Sequence, residues 1–188
     1  MNAPSILVVE DERIVALNIA ERLGRLGYEV AGPAHTAEDA IELAGQLSPD
    51  LVLMDINLHG AMDGIEAAER MVEAAGTPVC YLTAYSDDRT LERARRTRPY
   101  GYLIKPFTER ELHATIQMSL ERVESDRALQ DSERRLLLAL DAGEMLAWEF
   151  DPAADVVRDV CDPDSVLGGP GSLLAGSLRR ALELVKPD

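Results

Sequence analysis

A set of positions far apart in the chain carries groups that belong to one kind of chemistry. Asp55 ends the apolar run Leu51-Val52-Leu53-Met54, and Glu10-Asp11-Glu12 follows the run Ile6-Leu7-Val8-Val9. Thr83, with the small Ala84 after it, follows Val79-Cys80-Tyr81-Leu82, and Lys105-Pro106 follows Gly101-Tyr102-Leu103-Ile104. Brought together, a carboxylate nucleophile, a hydroxyl, an ammonium and further carboxylates describe a phosphoryl-transfer site. An oxygen attacks in line while positive charge neutralises the equatorial oxygens. Glu10, Asp11 and Asp55 in one pocket would repel one another unless a cation sat among them. Hard carboxylate oxygens, with a backbone carbonyl and waters, suit Mg²⁺.

Each residue alone has a plainer reading. Asp55 could begin a turn, and Glu10-Asp11-Glu12 could be a solvated helix N-terminus favoured by the macrodipole. Thr83 could be a turn hydroxyl and Lys105 a surface charge. What outweighs these readings is that all the groups fall where an apolar run ends.

For the groups to meet, those runs must be strands of one parallel sheet. Leu51 to Met54 reads as a strand buried on both faces. Ser5 to Val9, Glu29 to Gly32, Val79 to Thr83 and Gly101 to Ile104 read as the others. Between them lie helical patterns. The first carries Ile14, Leu17, Ala20, Leu23 and Leu26 at helical spacing and closes at Gly27. Thr36 is the expected N-cap of the second, with Asp39 three residues on, and Ser48-Pro49 stops it. The third runs from Met62 to Ala75, the fourth from Asp87 to Arg96, and Thr108 caps the fifth. Alternating strands and helices imply an α/β fold with a parallel sheet and right-handed crossovers, and five such units fit the doubly wound order 2-1-3-4-5. In that order ligands gather at the carboxyl ends of the strands.

The 188 residues are 46% hydrophobic but only 4% aromatic, which suits an aliphatic core. A net charge of -15 argues against binding nucleic acid or an anionic membrane. No apolar run approaches the roughly 20 residues of a membrane span. Met1-Asn2-Ala3-Pro4 leads directly into a strand, so no signal peptide is expected, and Cys80, in an apolar run, is expected to be a buried thiol. The expectation is a cytoplasmic protein.

Five stretches, in order and at matching spacing, resemble the receiver domain of bacterial response regulators. They are Ile6-Leu7-Val8-Val9-Glu10-Asp11-Glu12, Val52-Leu53-Met54-Asp55, Met62-Asp63-Gly64, Leu82-Thr83-Ala84 and Gly101-Tyr102-Leu103-Ile104-Lys105-Pro106-Phe107. The resemblance implies that Asp55 is the phosphoacceptor. Asp11 would ligate Mg²⁺ directly, Glu10 through water, and Asn57 through its backbone carbonyl. Lys105 would pair with the phosphoryl group, Thr83 would hydrogen-bond it, and Tyr102 would rotate inward as Thr83 moves. The Lys105-Pro106 bond is expected to be cis. A histidine kinase or phosphotransfer protein is the implied donor. The face made by the fourth helix, fifth strand and fifth helix is the implied output and dimer surface. No enzymatic turnover is implied beyond the domain's own Asp phosphorylation and dephosphorylation.

One departure is the loop Asn57-Leu58-His59-Gly60-Ala61-Met62-Asp63-Gly64, longer than in many receivers and resembling a subset coupled to sensory modules. His59 there reads as an exposed loop histidine, and His113 as an exposed helix histidine rather than a phosphoacceptor.

From Thr108 to about Ala142 there is neither proline nor glycine, so the fifth helix is expected to be far longer than the usual 11–12 residues. Leu112, Ile116, Leu120 and Val123 give it an apolar face, and Leu129, Leu136 and Leu140 resume a sparse stripe; so long a helix is either a two-chain coiled coil or an exposed strut, and the stripe favours a dimeric signalling helix. Ala147-Trp148-Glu149-Phe150-Asp151, with Val156 to Val160 as hairpin partner, resembles the start of a PAS sensory domain. Gly168-Gly169-Pro170-Gly171 reads as a loop. The expected organisation is a receiver at 1–122, a signalling helix at 123–143 and a truncated PAS-like fragment at 144–188. The output beyond could be a histidine kinase or a second-messenger enzyme.

Two other classes compete. A dehalogenase-like phosphatase also phosphorylates a strand-end Asp, but it wants a second acid two residues on, where this chain has Asn57. A ligand-sensing module with a vestigial receiver would not need Asp11, Asp55, Thr83 and Lys105 all intact.

Overall fold

The computed structural model describes residues 3–84, 88–142, 148–151, 153–154, 156–159 and 166–168. The chain divides into two units, Met1–Arg127 and Ala128–Asp188.

The first unit contains β1 (Ser5–Val9), α1 (Arg13–Arg25), β2 (Glu29–Val30), α2 (Ala37–Leu47), β3 (Leu51–Asp55), α3 (Gly64–Ala75), β4 (Val79–Thr83), α4 (Asp88–Arg96) and β5 (Gly101–Ile104). The helix α5 (Glu109–Ala142) follows and crosses the division between the units. The sheet has the order β2-β1-β3-β4-β5, all parallel. This is the expected α/β topology.

The apolar runs form strands because helices cover both faces of the sheet. Leu7, Val9, Val52, Met54, Val79 and Tyr81 point to one side, among the small and aliphatic residues of α2, α3 and α4. Ile6, Val8, Leu51, Leu53, Cys80 and Leu82 point to the other, against α1 and α5. Each such side chain, taken fully out of water, stabilises the fold by roughly 1.5–3 kcal/mol before chain entropy is counted.

Caps set the helix starts. Thr36 Oγ1 accepts from the Asp39 amide at 3.1 Å, as expected for α2. For α3, Asp63 Oδ1 accepts from the amides of Ile65 and Glu66, while the Glu66 carboxylate accepts from the Asp63 amide. This reciprocal cap starts α3 at Gly64, two residues later than the apolar pattern beginning at Met62 suggested. At α5, the Glu111 amide donates to Thr108 Oγ1 at 3.2 Å.

Two expectations need correction. The buried stripe of α1 is Ala16, Ile19 and Leu23, whereas Ile14 and Leu17 are 83% and 62% exposed. The sequence holds two interleaved apolar stripes, and the sheet took the one whose small Ala16 allows close approach. The second strand stops at Val30 rather than Gly32. Gly32 has φ 147°, and a Cβ there would lie 2.7 Å from Leu7 Cδ1. Pairing resumes as an isolated bridge between Val9 and Ala34.

On α5, Leu112, Ile116 and Val123 are consumed by the first unit's own core. Met118, Leu129, Leu136, Leu137 and Leu138 remain exposed, and the Leu140 side chain lies outside the described residues. None of the helices described is long and apolar enough to cross a membrane.

In the second unit, β6 (Trp148–Asp151) pairs antiparallel with β7 (Val156–Asp159), in the register Trp148 to Asp159. The hairpin turns where Asp151 Oδ1 accepts from the amides of Ala153 and Ala154. A third strand, β8 (Val166–Gly168), pairs antiparallel with β7. Gly168 therefore belongs to a strand and not to the expected loop, whose other residues lie outside the described set.

Candidate functional site

Parallel strands deliver their carboxyl ends to one edge, and β1, β3, β4 and β5 are consecutive neighbours there. Glu10 and Asp11 leave β1, Asp55 ends β3, Thr83 ends β4 beside Ile104, and Lys105 follows β5. Glu10, Asp11 and Asp55 each bring a carboxylate oxygen within 4.8 Å of the others. Lys105 Nζ donates to Asp55 Oδ2 at 2.6 Å and also to Glu10 Oε2. Asp55 Oδ1 accepts from the Asn57 amide at 3.0 Å, so both oxygens of this buried carboxylate are engaged.

The backbone around these groups is fixed. The Lys105 amide donates to the Thr83 carbonyl at 2.7 Å, the Lys105-Pro106 bond is cis, and Thr83 is buried. The Glu10 amide donates to the Ala34 carbonyl at 3.1 Å, and the His35 ring meets the Glu10 carbonyl at 2.9 Å. Gly64 lets α3 begin directly beneath Asp55. A Cβ on Gly64 would lie 1.8 Å from the Asp55 carbonyl oxygen.

The charges respond to these surroundings. Burial holds the Glu10 carboxyl above its ordinary value of 4.5, an effect reinforced by Asp55 and only partly offset by Lys105. Burial disfavours the Lys105 charge, but hydrogen bonds to Asp55 and Glu10 outweigh it, and its pKa rises above 10.5. Burial also works against ionisation of Asp11, but His59 reverses this and holds it below 3.8.

Three features of the site were not foreseen in the sequence. His59 is exposed, as expected, yet its Nδ1 hydrogen-bonds Asp11 Oδ2. Asp63 Oδ2 pairs with Arg93 Nη2 at 2.9 Å, which ties the loop end to α4. Gly64 was legible only as part of a motif; the close approach that requires glycine depends on where α3 meets β3. Outside the site, His113 is half-buried rather than exposed, with Tyr28 Oη 3.0 Å from its Nδ1.

Tyr102 lies on β5, three residues before Lys105. It pairs in register with Tyr81, their ring centroids 5.9 Å apart. Its buried hydroxyl has no hydrogen-bond partner among the described residues. Beside it is a cavity of about 430 Å³ lined by Leu91, Glu92, Arg95 and Tyr102.

The donor set, three hard carboxylates at the edge of a parallel sheet, fits Mg²⁺, and a lysine shared between two of them fits a site that receives a phosphoryl group. Residues 6–117 match the family model of the response regulator receiver domain. Among curated proteins, the transcriptional regulatory protein PdtaR of Mycobacterium tuberculosis is 37% identical over 125 residues, covering 66% of this chain and 60% of that protein. The chain thus spans 60% of the length of that relative. Among solved structures, the signal receiver domain of a modulated diguanylate cyclase from Desulfovibrio desulfuricans G20 is 38% identical with a TM-score of 0.63, covering 66% of this chain and 98% of that one. The N-terminal domain of a response regulator/sensory box/GGDEF 3-domain protein from Carboxydothermus hydrogenoformans is 38% identical with a TM-score of 0.60, covering 65% and 98%. With fold, site and family model in agreement, the chain belongs to the response regulator receiver family, the phosphoacceptor modules of phosphorelay signalling.

Proposed function

We propose that Asp55 accepts a phosphoryl group from a partner histidine kinase or phosphotransfer protein. The observation that carries this reading is Lys105 Nζ held between Asp55 and Glu10, with Asp11 beside them. An Asp55 carboxylate oxygen forms the new P–O bond as the P–N bond to the donor histidine breaks, and the imidazole leaves with the electron pair. Lys105 turns its ammonium to the phosphoryl oxygens, and the Thr83 hydroxyl donates to one of them. Mg²⁺, held by Glu10, Asp11, Asp55 and the Asn57 carbonyl, supplies neutralising charge when bound. Tyr102 serves as the switch. Its hydroxyl, without a hydrogen-bond partner among the described residues, and the adjoining cavity support this, because both leave a second position open to the ring.

The output reading is that α4, β5 and α5 pass the change along the long helix. Residues 1–122 act as the receiver, 123–143 as the signalling helix and 144–188 as part of a PAS-like module. The hairpin opening at Trp148 supports the last assignment, as does the receiver paired with a sensory box in the Carboxydothermus protein. In this reading the output is a second-messenger enzyme or a kinase, and partnership with a histidine kinase supports a cytoplasmic location. The exposed Met118, Leu129 and Leu136 support a homodimer through α5. Light scattering is expected to show a dimer that tightens with beryllofluoride; a fixed monomer mass would count against it.

The central test is intact-mass analysis after incubation with acetyl phosphate. The chain is expected to gain one phosphoryl group with Mg²⁺ and none in EDTA. Equal labelling in EDTA would defeat the reading.

A further inference from the structure

The loop after β3 presents a histidine that the phosphoryl chemistry does not use. Leu58 and Met62 are buried, and Asp63 is held twice, as the cap of α3 and by Arg93. Between these anchors the chain must turn outward, and Gly60 takes φ 152°, a conformation open to glycine. His59 leaves the first anchor at the mouth of the site, 91% exposed, with its Nδ1 bonded to Asp11 Oδ2.

This bond completes a pattern. Lys105 already engages Glu10 and Asp55, and His59 engages the remaining carboxylate of the trio. Every acidic side chain offered to a cation therefore carries an internal partner. We propose that His59 is an internal competitor for the cation site, a positioning residue that holds Asp11 until Mg²⁺ displaces it. The inference rests on the Mg²⁺ reading above. Displacement is easy because the ring is almost wholly in solvent and has little packing to lose, while Leu58 and Met62 keep the loop in place. His59 thereby raises the Mg²⁺ concentration at which the site fills, without contributing to the transfer itself.

The experiment is isothermal titration calorimetry of the full chain with Mg²⁺, alongside His59→Ala, His59→Asn and Asp11→Asn. Because the His59 ring is almost wholly in solvent, His59→Ala is expected to bind Mg²⁺ only about 1.4- to 5-fold more tightly. His59→Asn, which keeps a donor, should fall between it and the wild type. In NMR spectra the His59 ring signals should move as Mg²⁺ saturates the wild type. Unchanged or weaker binding by His59→Ala, or a ring that does not respond, would overturn the proposal. Asp11→Asn separates the two levels. If wild type and Asp11→Asn bind Mg²⁺ equally, the cation reading itself fails; if only the His59 variants match wild type, the competitor role alone fails.

Discussion

The strand β3 has an aspartate at each end, and the two live differently. Asp50, just before the strand, is 44% exposed in its side chain; it accepts from the Ser5 amide at 3.0 Å and meets Arg127 at 3.7 Å. Asp55, at the far end, is 9% exposed and meets Lys105 at 2.6 Å. Both ends bring an acid and a base together, since parallel strands collect all their starts at one edge and all their finishes at the other. Asp50 can draw on water as well as Arg127, so little depends on that pair. Asp55 shares its surroundings with Glu10 and Asp11, and Lys105 is the cation that meets it. The same residue type thus makes a solvent-shared surface pair with α5 at one end and is enclosed among charged groups at the other.

The sharpest break in this comparison is chemical. Asp55→Asn is expected to lose all phosphoryl gain from acetyl phosphate, while Asp50→Asn keeps it, as read by intact mass. Next in size is stability. Lys105→Ala leaves two buried carboxylates without their cation, a kind of loss that costs about 3–5 kcal/mol when burial is complete and about 2–3 kcal/mol for this partly exposed lysine. Urea unfolding at pH 7 would measure it. The loss has a pH signature. Because the Glu10 carboxyl is already held above 4.5 in the folded state, its contribution is fully present below the unfolded value and is lost as pH rises through the folded one. Lowering the pH from 7 toward 5 should therefore recover part of the Lys105→Ala deficit.

A third contrast uses glycines. Gly64→Ala puts a methyl into the Asp55 carbonyl and is expected to cost about 1–3 kcal/mol and to weaken acceptor activity. Gly45→Ala in α2 meets nothing within 4 Å and should instead stabilise by about 0.5–1 kcal/mol through helix propensity, shown by a higher Tm. The smallest effect belongs to the exposed end. Arg127→Ala should cost no more than about 1 kcal/mol in low salt and vanish into error as salt rises.

The sequence by itself determined the alternation of strands and helices, the two-sided burial of β3, and the acids, hydroxyl and lysine at the strand ends. Those features are written in neighbouring residues, where the period of apolar side chains and the break into polar ones are local signals. The cap at Thr36 was legible for the same reason. Only the tertiary structure decided which apolar stripe of α1 would be buried, because Ile14 and Leu17 satisfy helical spacing as well as Ala16, Ile19 and Leu23 do. It alone placed Lys105 between Glu10 and Asp55, 95 and 50 residues away, and set His59 on Asp11 across 48. It also paired Tyr28 with His113, and it required Gly64 where α3 runs up against β3. Such contacts depend on how strand ends and loops converge in space, and local spacing does not encode the distance between groups so far apart in the chain.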